Sequence, residues 1–342
     1  LFADRDLIRI AETVACPVER YPDALPQLIQ SLPPAQILYT GGLENDPHVL
    51  RGLAQHHELE GTPPEILRSV RDPFALQALV ADAGMAMPQM VPPHEPCPPE
   101  GRWLRKPLRS SGGRGIRFAQ PHEPASHQHY FQEYRDGTPI SAVFVNATLF
   151  GVTEQLIGVP WLHAKPFAYC GNIGPIAWPQ PVFERLAHRV YEAGVRGVWG
   201  VDLVQTDDRL LVLEINPRYT ASVEVLEHGY RRAIFAPSDT AASPATAHRS
   251  ADEQVIGVIG KAIYYAPHTF VFPHQGPWDA DLARDFDPWK CPHFADVPQP
   301  GSRIEAGYPV LSILAIGNSP AEVRAQLQWH AVQLDQLFRN SP

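Results

Sequence analysis

Short apolar runs alternate with helical stretches through the first 69 residues. Gln36-Ile37-Leu38-Tyr39 reads as a strand running into Thr40-Gly41-Gly42, and the periodicity over 47–55 is that of a helix. The pattern predicts an open α/β lobe. Asp72 then stands where a helix N-cap should, with Pro73 at the first helical position, apolar Phe74, Leu76, Leu79 and Val80 behind it, and a stop at Gly84. A proline-rich stretch over 91–99 predicts an extended connection between two lobes. Short strands and tight turns follow from 102 to 150, and a helix over 182–193 stops at Gly194. Two strands come next, over 198–204 and 210–215. A proline- and alanine-rich insert near 236–247 predicts a surface loop. The last hundred residues read as mixed α/β closed by a helix over 320–338, and no internal repeat is visible. The opening, Leu1-Phe2-Ala3-Asp4, resembles the end of a strand, which predicts further residues upstream.

At 342 residues and 44% hydrophobic composition, the chain can bury a large core and divide into two or three lobes. Its four cysteines form no C-x-x-C pair, which argues against a disulfide framework and predicts a reducing, cytoplasmic setting. A net charge of −9 without any basic cluster disfavours nucleic acid and anionic membranes as partners and favours a small-molecule substrate. The longest apolar run, near 310–316, is far short of a membrane span. Only four lysines stand among the 28 basic residues, at 106, 165, 261 and 290, so each merits inspection.

Two apolar runs, Val201 to Val204 and Leu210 to Ile215, flank a polar turn centred on Asp208, a β-hairpin signal. A three-residue turn over 207–209 sets Asp202 directly opposite Glu214. Alternation then puts Asn216 on the same face as Glu214. Opposed carboxylates destabilise a hairpin unless a cation offsets them. Two carboxylates and an amide oxygen suit a magnesium ion that shares phosphate oxygens as further ligands.

Upstream, Arg102 to Pro107 forms a strand leading into Leu108-Arg109-Ser110-Ser111-Gly112-Gly113-Arg114-Gly115 and then a second strand. A Walker loop places its lysine after the glycines; here Lys106 precedes them. The physics is related, because glycine and serine let backbone N–H groups approach phosphate while a lysine neutralises it.

In this order the pieces resemble the ATP-grasp superfamily, over roughly residues 70–330. The resemblance implies an ATP-grasp fold, α/β with α+β lobes and an N-terminal Rossmann-like lobe. It divides the chain into 1–69, a small lobe with the phosphate loop over 70–132, and a large lobe with the hinge, metal hairpin and C-terminal extension over 133–342. It implies that Lys106 contacts ATP phosphates, with Ser111, Gly112, Gly113 and Gly115 as the covering loop. Gln132 or Glu133 would contact adenine at the hinge, with Tyr134 beside them. Asp202 with the E-x-N-x-R run Glu214-Ile215-Asn216-Pro217-Arg218 would bind Mg²⁺ or Mn²⁺, and Arg218 would stabilise the transferring phosphoryl group. Tyr169, Gly171 and Asn172 mark the candidate substrate loop over 166–175.

The sequence departs from the family at three points. Arg71-Asp72-Pro73 stands where many members have Asp-Lys, so Arg71 is a candidate substitute for that lysine. No clear ribose-binding carboxylate follows the hinge. Tyr219-Thr220-Ala221-Ser222-Val223-Glu224 after the metal motif puts the bicarbonate-handling glutamate of biotin carboxylases out of register. No histidine pairs with Cys170, Lys261 reads as a strand residue, Cys291-Pro292-His293 as structural, and the Gly41-Gly42 corner is assigned no chemistry. The resemblance therefore implies an ADP-forming carboxylate–amine ligase working through an acyl phosphate on small-molecule carboxylate and amine substrates, as a homodimer. A pterin or furan one-carbon carrier is the expected biosynthetic context. The alternatives are a bicarbonate-dependent carboxylase and a non-catalytic nucleotide-binding protein.

Overall fold

The computed structural model describes residues 4–339 except 15, 125, 180 and 236–254, so the insert predicted near 236–247 lies outside the described residues. The N-terminal lobe contains α1 (Leu25–Ile29), β1 (Gln36–Leu38), α2 (Pro47–Leu53), β2 (Glu58–Glu60) and α3 (Pro64–Arg71). β1 and β2 pair in parallel over a small core of Tyr39, Leu50, Leu53 and Leu67. Among the described residues this pair is all that represents the expected Rossmann-like sheet.

The predicted helix grammar holds in α4 (Pro73–Asp82), where the Asp72 carboxylate accepts from the N–H groups of Phe74 at 2.9 Å and Ala75 at 3.3 Å. A small antiparallel sheet follows, built of β3 (Met90–Val91), β4 (Trp103–Pro107), β5 (Arg117–Phe118) and β6 (His129–Glu133) in the order β3-β6-β4-β5. The proline-rich stretch runs within this sheet, between β3 and β4, rather than between lobes. Its Cys97 exchanges backbone hydrogen bonds with His122 and Glu123.

The large lobe comprises β7 (Thr138–Val145), β8 (Thr148–Ile157), β9 (Tyr169–Gly174), α5 (Pro181–Glu192), β10 (Val198–Gln205), β11 (Leu210–Asn216), α6 (Ser222–Tyr230), β12 (Val258–Tyr265), β13 (Phe270–Val271), α7 (Asp279–Ala283), β14 (Phe294–Ala295), β15 (Arg303–Ile304), β16 (Pro309–Gly317) and α8 (Pro320–Phe338). Its eight-stranded sheet runs β11-β10-β7-β8-β9-β12-β16-β14. The predicted substrate loop is largely β9, an interior strand of this sheet. Glycines in the sequence suggest a loop there, but they serve close strand approach. A Cβ on Gly171, at φ +144°, would lie 2.0 Å from the Lys261 carbonyl oxygen on β12.

Alternation gives the sheet two unlike faces. Ile140, Ala142, Phe144, Trp199, Val201 and Leu203 face back, against Phe183, Leu186 and Val190 of α5. At the other end Val323 and Leu327 of α8 cover Gly260. The front positions carry a polar row in register across six strands: Glu214 opposite Asp202, Asp202 opposite Ser141, Ser141 opposite Thr153, and Gln155 opposite Asn172, which faces Lys261. Ser141, Thr153, Gln155 and Asn172 are buried. Buried polar groups hold such a place only when they are hydrogen-bonded to one another or to a ligand.

Candidate nucleotide and metal site

The hairpin β10–β11 brings Asp202 opposite Glu214 and Gly200 opposite Asn216. The pairing matches the expectation, but by cancellation. The turn is one residue shorter than expected, closed by the Thr206 N–H to the Arg209 carbonyl at 2.9 Å, and a bulge at Leu213 takes up the difference. Asp202 accepts from Gln155 Nε2 at 2.8 Å and from Asn216 Nδ2 at 2.9 Å. Burial first, and the neighbouring Glu214 second, push the Asp202 carboxyl up to about 7. Burial also acts against ionised Glu214, yet Arg71 and then Lys106 outweigh it and hold that carboxyl below its usual range.

Three cations surround the pair. Lys106, on β4, is buried and donates to Gln132 Oε1 at 3.1 Å. Although burial alone would lower its pKa, Tyr130, Glu214 and Asp202 hold the ammonium above its ordinary value. Arg71, the last residue of α3, donates to Glu214 Oε2 at 3.4 Å, Asn216 Oδ1 at 3.4 Å, the Ile215 carbonyl at 3.2 Å and the Ser110 carbonyl at 2.9 Å. Arg218 donates to Asn216 Oδ1 at 3.3 Å and forms an ion pair with Glu44 at 2.8 Å, the Glu44 side chain being 0% exposed.

The N-terminal lobe thus reaches into the site at the corner assigned no chemistry from sequence. The Gly42 N–H donates to Glu44 at 2.7 Å, and a Cβ on Gly41 would stand 3.4 Å from the Arg218 guanidinium carbon. Tyr39 donates from its hydroxyl to the Pro217 carbonyl at 3.0 Å, pinning the turn that carries Arg218. Glu44, Tyr39 and Gln155 escaped the sequence reading, because nothing local distinguishes them from ordinary lobe or strand residues.

The glycine loop lies over the front face. The Tyr169 N–H donates to the Gly112 carbonyl at 3.1 Å. Gly113, at φ +76°, passes so near β9 that a Cβ there would lie 1.8 Å from the Phe167 carbonyl oxygen. Gly115 rests on the Pro107 ring, and the Ser111 carbonyl on the same loop accepts from the Arg114 N–H at 3.3 Å. At the hinge, Gln132 turns inward to Lys106, its Nε2 buried and unpartnered, while Glu133 and Tyr134 line an open groove with Arg135, Asp136 and Thr206. Tyr134 carries the Arg102 guanidinium at 4.3 Å and meets Phe118 and Phe167 edge-on. Sequence reasoning grouped Gln132 with these two; strand alternation separates it from Glu133, and Tyr134 lies past the end of β6.

Tyr169 and Asn172 hydrogen-bond to each other, and Asn172 Nδ2 donates to Thr153 Oγ1 at 2.8 Å. Lys261 is a strand residue, as read, and pairs with Glu224 at 2.5 Å and Asp296 at 3.6 Å. Burial pushes the Cys170 thiol up to about 11 and the Cys291 thiol up to about 12, far from nucleophilic at neutral pH. Among the described residues no three acidic, histidine or cysteine side chains form a preformed metal cage. The hairpin supplies two carboxylates and an amide, a hard-oxygen set that fits a magnesium ion completed by phosphate oxygens and water. Among the described residues no helix is long and apolar enough to cross a membrane.

Comparison with known proteins follows the same lines. A family model described as the ATP-grasp domain matches residues 70–222. Sequence comparison with curated proteins gives no match. Solved structures share the fold. An ATP-grasp superfamily protein from Archaeoglobus fulgidus superposes with a TM-score of 0.53 at 16% identity, over 87% of this chain and 80% of its own. The L-amino acid ligase of Bacillus licheniformis gives 0.61 at 12% identity, over 91% and 82%. The biotin carboxylase domain of the Hydrogenobacter thermophilus 2-oxoglutarate carboxylase, solved with MgADP, ADP and bicarbonate, gives 0.64 at 13%, over 92% and 78%.

Proposed function

We propose, from the match of residues 70–222 to the ATP-grasp domain, that the chain is an ADP-forming carboxylate–amine ligase. The observation that carries the reading is the half-buried Asp202–Glu214 pair ringed by Lys106, Arg71 and Arg218. A bound magnesium ion would be held by Asp202 and Glu214, with the Asn216 amide orienting Asp202 beside it, and would supply charge neutralisation at the phosphates. Lys106 would hold the phosphates from the small sheet, and the loop of Ser111, Gly112, Gly113 and Gly115 would cover them. Glu133 and Tyr134 would border the adenine.

In the reaction, a substrate carboxylate oxygen bonds to the γ-phosphorus as the bridging β–γ P–O bond breaks and ADP leaves. The amine nitrogen then bonds to the acyl carbon of the acyl phosphate, phosphate departs, and the nitrogen loses a proton. Arg218, fixed by Glu44, would stabilise charge on the transferring phosphoryl group, so the protein contributes positioning and electrostatics rather than a nucleophile. Tyr169, Gly171 and Asn172 lie beneath the covering loop, on the side where an acceptor would enter.

The test is ADP release with ATP, Mg²⁺ and a panel of carboxylates and amino acids, including pterin and furan precursors, with hydroxylamine present to trap acyl phosphate. Hydroxamate formation is the expected result. Glu214→Gln should lower turnover at least about a hundredfold, the scale of losing one transition-state electrostatic contact, with an unchanged circular dichroism spectrum. Undiminished ADP release in that variant would overturn the assignment. Bicarbonate-dependent ADP release without hydroxamate would instead support the carboxylase, and nucleotide binding without turnover across the panel the binding protein. Sedimentation reads the homodimer that belongs to the same proposal.

A further inference from the structure

Arg71 stands in an unexpected place for a phosphate-binding substitute. Its guanidinium lies against the hairpin's own ligand atoms, Glu214 Oε2 and Asn216 Oδ1, each at 3.4 Å. Two backbone carbonyls hold it there from opposite sides, Ile215 on the hairpin and Ser110 on the phosphate loop. The side chain is 12% exposed, so it cannot leave for solvent without giving up buried hydrogen bonds. Asn216 Oδ1 also accepts from Arg218, so this amide oxygen already faces two guanidinium groups. On the other side of Glu214 the picture differs. Asp202 is contacted by the amide donors Gln155 and Asn216, and among the described residues no cation is hydrogen-bonded to it.

Divalent ions in two-metal phosphoryl-transfer sites stand about 3.5–4 Å apart, bridged by a shared carboxylate. An ion bound between Glu214 and Asn216 would sit on the same two oxygens as the Arg71 guanidinium. Like charges at such separation in a water-poor site repel strongly. We infer that Arg71 is a resident cation occupying the Glu214–Asn216 side of the hairpin, so that the loaded site takes one divalent ion, on the Asp202–Glu214 side, rather than two. The inference rests on the nucleotide–metal reading above. It adds a role for the buried, unpartnered Arg71 Nε, which is left as a donor toward a phosphate oxygen.

The experiment counts Mn²⁺ bound to the full chain at saturating non-hydrolysable ATP analogue, by titration with electron paramagnetic resonance. The wild-type protein should bind one ion per chain, with the spectrum of an isolated Mn²⁺. Arg71→Met should bind two, with the line broadening of a coupled pair, whereas Arg71→Lys, which keeps a cation at the position, should stay at one. Two coupled ions in the wild type would overturn the inference while leaving the nucleotide–metal reading intact. So would a folded Arg71→Met that still binds a single ion. Absence of nucleotide-dependent Mn²⁺ binding in the wild type would overturn the reading beneath it, an outcome distinct from either. Should Arg71→Met fail to fold, Arg71→Gln, which removes the charge but keeps hydrogen-bond donors, takes its place, with two ions expected and a single ion overturning the inference.

Discussion

Arg218 gains its fixed position from a residue outside the domain that carries it. The Glu44 carboxylate is fully buried and its strongest partner is that guanidinium, at 2.8 Å. Removing one member of a buried ion pair leaves the other uncompensated, a loss of about 3–5 kcal/mol. Glu44→Gln should therefore lower the melting temperature and cut kcat while leaving nucleotide affinity nearly unchanged, because Arg218 would act on the transferring group and not on adenine. Calorimetry and steady-state kinetics read the two effects. A variant with wild-type kcat would show that Arg218 needs no such anchor. At this scale the sequence was legible where residues repeat a spacing rule: Glu214 and Asn216 share a strand face by alternation, and the hairpin sets Asp202 opposite Glu214. Glu44 was not, because it reaches the site through the tertiary fold, 174 residues from Arg218 in the chain, and Arg71, read as a substitute for a family lysine, gave no sign of its contact with Glu214, 143 residues away.

Among elements, β9 shows how composition can mislead. Cys170-Gly171-Asn172-Ile173-Gly174 has the glycine content of a loop, yet it lies between β8 and β12 with every one of these residues buried. Gly171 makes that possible by letting the two backbones meet. Gly171→Ala would force a Cβ onto the Lys261 carbonyl and hold an alanine at positive φ. Steric overpacking costs about 1–3 kcal/mol, and thermal denaturation should show a loss of at least that size. An unchanged melting temperature would mean that β9 and β12 can separate freely. The helices were more readable, since caps and stops are local. Asp72 with Pro73 announces α4, and the predicted helix over 320–338 coincides with α8. The hairpin falls between these cases, its partners right while turn length and bulge offset each other.

For the whole molecule, the division of labour between faces organises both stability and the candidate site. The apolar back of the eight-stranded sheet supplies the core, and hydrophobic alternation in β7 and β10 foretells it. The polar front makes sense only once six strands are laid side by side, which no single segment reveals. Above that front, the glycine loop is joined to β9 by the Tyr169–Gly112 hydrogen bond and by the close passage of Gly113 over Phe167. Gly113→Ala should hold the loop away from β9, raising the KM for ATP and for the acceptor together, as initial-rate measurements over both substrates would show; a rise confined to ATP would uncouple them. On the proposed reading, a nucleotide beneath the loop and an acceptor near Tyr169 would share one threshold, so ADP would not depart while the amide product still held it shut.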